Sequence, residues 1–127
     1  MTPPCPCGRP AAFPDCCGRY LAGEPAPDAE SLMRSRYTAY TLGDAAYLLA
    51  TWHPDTRPPT LALDESPAPK WLGLAVKAHR QTDENHAMVE FVARWKVAGR
   101  AARMHELSRF EKIGGRWYYL DGDQFGH

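Results

Sequence analysis

The chain has no excess of charge of either sign. Its 15 lysines and arginines equal its 15 aspartates and glutamates, so the formal net charge is zero. A broad nucleic-acid or acidic-membrane surface needs a basic excess, and neither partner is expected here. No apolar run approaches the ~20 residues that span a bilayer. The start, Met1-Thr2-Pro3-Pro4, lacks a basic stretch followed by an apolar run. No export signal is therefore expected, and the location expected is cytoplasmic, a reducing compartment. Catalytic signatures are missing too. There is no Gly-x-Ser-x-Gly, no His-Glu-x-x-His and no phosphate-binding glycine loop. His79, His86 and His105 have no metal-ligand spacing, and His53, placed before Pro54, is expected only to cap a helix end. No cysteine lies beyond Cys17, which excludes a Cys–His nucleophilic pair in the body of the chain.

What cysteine there is sits in two tight pairs, Cys5-Pro6-Cys7-Gly8 and Cys16-Cys17-Gly18. Four thiolates so spaced suit a closed tetrahedral site, and Zn²⁺ is the expected cofactor, held by Cys5, Cys7, Cys16 and Cys17. The unit is too short to bury a core of its own, so a metal would supply its folding energy. Two disulfides, in any of three connectivities, and free or redox thiols are the alternatives; the reducing compartment and the lack of a Cys-x-x-Cys weigh against them. Gly8 and Gly18 are expected to take positive φ around the metal. Arg9 and Arg19 are expected to offset the net negative charge of a four-thiolate site.

Tyr20 to Pro27 is expected to be the connection from knuckle to domain, with Gly23, Pro25 and Pro27 discouraging regular structure there. A helix is expected from an Asp28 N-cap to about Leu42, with Met33, Tyr37 and Tyr40 on its buried stripe and Arg34, Ser35 and Thr38 off it. Gly43 ends it, and Asp44 caps a second helix running to Trp52. The proline-rich stretch 53–69 is expected to hold a short helix over 60–64 or to form a flap. Four strands follow: Trp71 to His79, with Leu72, Leu74 and Val76 on one face; Ala87 to Val97, alternating; Ala101 to Lys112; and Arg116 to Asp121 after a Gly114-Gly115 turn. Two helices before an antiparallel meander predict an α+β fold, with helices packed on one face of a curved sheet. A chain of 127 residues suits one such domain plus the knuckle, divided as 1–22 and 23–127. Every periodic apolar segment lies from Asp28 onward, so the larger unit is expected to fold without the knuckle.

Cys-Pro-Cys-Gly followed by Cys-Cys-Gly resembles the SEC-C motif, a small zinc module. Leu32-Met33-Arg34-Ser35-Arg36-Tyr37, Thr51-Trp52-His53-Pro54, Trp71-Leu72-Gly73-Leu74, Ser108-Arg109-Phe110 and Trp117-Tyr118-Tyr119-Leu120-Asp121-Gly122 resemble the YchJ family of small bacterial proteins. That resemblance covers nearly the whole chain. It implies a SEC-C zinc module joined to an NTF2-like cone and supplies no activity.

A sheet closed by helices leaves a cone of the kind that can hold a small ligand, although the simpler and favoured expectation is that its aromatic rings make up an ordinary core. The candidate lining is Tyr37, Tyr40, Trp52, Trp71, Trp117 and Tyr119, with Glu106, Ser108, Arg109 and Asp121 from the last two strands. A buried Glu106 would be a candidate acid or base; an ion pair with Arg34 or Arg36 is the bland alternative. Of two competing functions the first is the leading expectation, because a strong metal motif stands with no catalytic constellation, and the second is its alternative. The first is a non-enzymatic adaptor that offers its knuckle, with Phe13 and Pro14, to a protein partner. The second is a binder or enzyme using the cone for a small molecule. An open cavity reaching Glu106 would favour the second. Nucleic-acid binding through Arg9 and Arg19 ranks last, because the charge balances and the loop between the cysteine pairs carries no lysine.

Overall fold

A computed structural model describes residues 4–61, 63 and 69–125. A single 3-10 turn over Phe13–Asp15 leads into helix α1, Cys17–Leu21. Helix α2 spans Ala29–Leu42. Its N-cap is Asp28, whose carboxylate accepts a 2.7 Å bond from the Ser31 amide. Gly43 closes it in the left-handed region. Helix α3, Ala45–Ala50, is capped by Asp44, which accepts from the Tyr47 amide at 3.0 Å.

Trp52 lies beyond α3 rather than inside it. The segment 51–53 instead adds a rung to the sheet edge. The Tyr119 amide donates to the Thr51 carbonyl at 2.8 Å, and the His53 amide donates to the Tyr119 carbonyl at 2.7 Å. Pairing with the sheet satisfies these backbone groups as well as another helical turn would, and Pro54 forbids that turn. The expected helix over 60–64 lies partly outside the described residues; Thr60, Leu61 and Leu63 are not helical.

Four strands, β1 (Lys70–Asp83), β2 (His86–Val97), β3 (Arg100–Ile113) and β4 (Arg116–Gln124), form an antiparallel meander in sequence order. The architecture is the α+β one expected. β1 runs farther than its apolar pattern, because backbone pairing carries on through Gln81 opposite Ala87. Its facing also differs. The register shifts between Trp71 and Gly73, and this bulge leaves Leu72 50% exposed while Trp71, Leu74 and Val76 pack on the core.

That core joins Val89, Phe91 and Ala93 of β2 and Phe110 of β3 to Leu32, Met33 and Tyr37 of α2. Tyr20 of α1 belongs to the same buried cluster, so the knuckle contributes a large side chain to the main core. Ser35 and Thr38, expected off the buried stripe of α2, are fully buried. Helix α2 is covered on more than its sheet face. Ser35 Oγ donates to the Leu32 carbonyl at 2.7 Å and lies 2.6 Å from Tyr47 Oη of α3. Thr38 Oγ1 lies 3.8 Å from Cys5 Sγ of the knuckle. Small hydroxyl side chains suit such a crowded helix, since each can satisfy its own oxygen locally.

Candidate functional site: a four-cysteine cluster and an open cone

Cys5, Cys7, Cys16 and Cys17 are all buried, and their sulfurs lie within 4.8 Å of one another. The Cys7–Cys16 sulfur separation is 3.7 Å, and no disulfide links any of the four. That separation is far longer than an S–S bond of about 2.05 Å. It matches the edge, roughly 3.8 Å, of a tetrahedron with metal–sulfur bonds of about 2.3 Å. Electrostatics favours a cation as well. Hydrogen bonding from Cys17 holds the Cys7 thiol down at about 5, whereas burial and the Cys7 charge push Cys16 up to about 11. Cys17 is pushed higher still, first by its bond to Cys7 and then by burial. The Cys7 thiolate forms readily and suppresses ionisation of Cys16 and Cys17, an opposition that a positive ion among the sulfurs would relieve.

Backbone geometry around the cluster separates the two glycines. Gly8 has φ +95°, as expected. Gly18 does not; it sits inside α1, and close approach explains it instead. A Cβ there would lie 2.7 Å from the Phe13 carbonyl oxygen and 3.1 Å from the Phe13 ring. Backbone cannot yield as a side-chain tip can. We therefore expect Gly18→Ala to weaken metal retention at least about tenfold in a chelator competition, the size of effect that ~1.4 kcal/mol of strain produces. An unchanged competition curve would refute the steric reading.

The charges near the cluster are also arranged differently from the expectation. Arg19 turns away, to Tyr20 Oη at 2.9 Å and Glu24 at 3.4 Å. Arg9 donates to Ser31 Oγ at 3.0 Å and pairs with Glu30 at 3.4 Å. Arg34, placed in sequence off the buried stripe and offered as a partner for Glu106, instead donates to the Cys7 carbonyl at 2.8 Å and to Glu30 Oε2 at 2.9 Å. Burial works to raise the Glu30 carboxyl, but Arg34 and Arg9 outweigh it and hold it below its usual range. Glu30 thus clamps the knuckle to α2 through two arginines. The signal available in sequence was the Glu30–Arg34 spacing of one helical turn.

Between α2 and the inner face of the sheet lies an open cavity of about 360 Å³. Of the expected lining, Tyr37, Tyr40, Trp52, Trp71, Glu106, Ser108 and Tyr119 border it, joined by Arg36, Trp95 and Met104. Trp117, Arg109 and Asp121 do not. Trp117 faces a second depression beside α1 and α3. Arg109 lies on the outer face, where it binds Asp121 Oδ1 at 2.5 Å and Asp123 Oδ2 at 2.8 Å. The strand alternation explains this: Glu106 and Ser108 share the inner face and Arg109 must turn outward. Glu106 is 7% exposed. Its Oε2 accepts from Ser108 Oγ at 2.5 Å and from Tyr119 Oη at 3.3 Å. It forms no ion pair with Arg34 or Arg36, contrary to the bland alternative. A Cβ on Gly122 would collide with Glu106 Oε2, so glycine at that position leaves the carboxylate its space.

Arg36 was named in sequence only as a partner for Glu106, and its surroundings were not legible there. Its Nη1 donates to the Leu48 carbonyl at 2.8 Å and to Thr51 Oγ1 at 2.7 Å. Its guanidinium lies 4.7 Å from the Tyr119 ring centroid and 5.0 Å from that of Trp52. His53 is also more than a helix cap. It is buried, its Nδ1 accepts from the Asp55 amide at 3.0 Å, and its Nε2 lies 2.6 Å from Glu111 Oε1. That pattern places the ring proton on Nε2, donated to Glu111.

A family model described as "YchJ, middle NTF2-like domain" matches residues 28–122. A UPF0225 protein of Bordetella pertussis is 62% identical over 122 residues, covering 94% of this chain and 91% of its own. A UPF0225 protein of Xanthomonas oryzae pv. oryzae is 57% identical over 119 residues, covering 93% and 92%. The solution structure of a SEC-C motif containing protein from Rhodopseudomonas palustris superposes with a TM-score of 0.84 at 34% identity, over 99% of this chain and 100% of that one. The crystal structure of a SEC-C motif containing protein from Psychrobacter arcticus gives 0.76 at 31% identity, over 100% and 84%. The chain belongs to the YchJ family, and its larger domain is NTF2-like. Among the described residues no helix is long and apolar enough to cross a membrane.

Proposed function

We propose that this YchJ-family chain is a small-molecule-binding protein that uses its cone, and that the four cysteines hold a structural Zn²⁺. The observation that carries this reading is the open, ring-lined cavity of about 360 Å³ reaching the buried carboxylate of Glu106. Its volume falls in the range of small-molecule sites, ~300–1,000 Å³, and its few polar groups converge on a mostly apolar wall, as such sites do. Zinc suits a closed set of four thiolates better than harder ions do, and a site with no open position binds metal without doing chemistry at it.

The adaptor reading receives less support. The knuckle spends much of its surface on its own domain, through Tyr20, the Thr38 contact and the Glu30 clamp. Phe13, a candidate contact for a protein partner, packs instead against Gly18 and the cysteines.

Filling the cone tests the binding reading. Ala93 lines the cavity and is buried. Ala93→Leu should keep the cooperative melt and abolish the ligand-induced shifts of the Trp52 and Trp71 indole N–H signals seen with small aromatic compounds. Shifts that survive in this variant would place binding elsewhere and sink the reading.

A further inference from the structure

The cone holds a positive group that forms no ion pair among the described residues, although the charge of Glu106 acts on it from a distance. Arg36 is 6% exposed, lines the cavity, and forms no ion pair among the described residues. Its only hydrogen bonds there are the two made by Nη1. Nε and Nη2 therefore have three N–H groups with no protein acceptor among those residues. Among the described residues, Trp52 Nε1 and Trp117 Nε1 are sealed side-chain polar atoms without a partner. Arg36 itself borders the cavity, which puts its side chain at the cavity wall. Burying a guanidinium without an anion is costly, and such a group persists where a partner completes it.

The opposite need lies on the sheet wall. Glu106 uses Oε2 for Ser108 and Tyr119, whereas Oε1 has no hydrogen-bond partner among the described residues. Tyr37, Tyr40, Trp71 and Trp95 line the same cavity with ring surface, packed on one another through Trp71.

We infer that the cone takes a small aromatic carboxylic acid, with its carboxylate on the Nε–Nη2 fork of Arg36 and a hydrogen-bond donor at its far end facing Glu106 Oε1. A guanidinium edge and a carboxylate match in spacing and plane, which an amide or an ester does not reproduce. The rings supply apolar and edge-to-face contact for the body of the ligand. The pairing of one inward cation with one inward anion suits a ligand that is acidic at one end and donating at the other. This inference rests on the cone being the binding site.

The experiment keeps the two claims apart. The full chain, metal-loaded, is titrated with phenylacetate, para-hydroxyphenylacetate and the amide of each, and the indole N–H signals of Trp52 and Trp71 are followed. The acids should bind at least about tenfold more tightly than their amides. The para-hydroxyl should tighten binding in the wild type and lose that gain in Glu106→Leu. Arg36→Gln, which keeps a donor for the Leu48 carbonyl, should remove the preference for acid over amide, with its melting temperature recorded alongside. Equal binding of acids and amides overturns the inference and leaves the cone reading intact. No shift with any of the four compounds overturns both.

Discussion

With the four-cysteine cluster holding the proposed metal, stripping that metal should lower the melting temperature of the whole chain by an amount on the order of 15 °C. The first effect is local. A unit of this length, with a five-residue helix, has no stability of its own once the ion is gone. The second effect is the informative one. Tyr20 follows Cys17 on α1 and is 3% exposed in the same buried cluster as Leu32, Val89 and Phe110. When α1 unravels, that side chain leaves the core. An aromatic of this size buries about 150 Å² or more, worth roughly 4 kcal/mol as an upper figure, and each kcal/mol moves the midpoint of a domain this size by about 4 °C. Thr38 and Arg34 lose their knuckle partners at the same time. Calorimetry with and without chelator, together with amide exchange, reads both effects. Protection should vanish over the knuckle, and the remaining transition should shift down while staying cooperative. A domain transition unmoved by chelation would mean that 23–127 stands alone, as the apolar periodicity suggested.

That expectation shows where the sequence was legible and where it was not. The caps of α2 and α3 were readable because Asp28, Gly43 and Asp44 act on backbone groups within three or four residues. The alternation of β2 was readable because its one buried face repeats without a break from Ala87 to Ala93. The cysteine cluster was readable because few chemistries want four soft ligands at that spacing. What failed depended on contacts between distant segments. Tyr20 looked like linker because nothing local marks a residue that packs on strands many residues later. Ser35 and Thr38 fell off the buried stripe because helical periodicity assumes one buried face, and α2 is covered by the sheet, α3 and the knuckle together. Leu72 was misplaced because a single-residue bulge changes which side chains face inward, and no residue type announces it. The cone lining divided along the same line. Glu106 and Ser108 follow from strand parity, whereas the charge of Arg36 acquires meaning only once α3, Trp52 and Tyr119 close around it.

Tyr119→Ala should cost about 3 kcal/mol and remove ligand binding, whereas Tyr119→Phe should cost no more than about 1 kcal/mol and retain it. Tyr119 is where the edge rung, the core and the cone meet. Its backbone holds the 51–53 segment by two hydrogen bonds, and these survive both substitutions. Its ring is what alanine deletes. That ring packs edge-on against Trp52 and Phe110, with centroids 5.3 Å and 5.8 Å away, and lies 4.7 Å from the Arg36 guanidinium. Without it the cation loses a stacking surface, and the cavity wall between Arg36 and Glu106 opens. The hydroxyl matters less. It donates a long bond of 3.3 Å to Glu106 Oε2, which keeps the shorter one from Ser108. Burial, reinforced by the neighbouring Glu106 charge, pushes the Tyr119 phenol above its usual range, so it stays a neutral donor at physiological pH. The phenylalanine variant should therefore bind para-hydroxyphenylacetate nearly as the wild type does and keep the preference for acid over amide. Chemical denaturation gives the two stability values, and the indole N–H titration gives the two affinities. Should Tyr119→Phe abolish binding while remaining fully stable, the phenol itself would contact the ligand, and the donor end of the site would have to be redrawn around Tyr119 rather than Glu106.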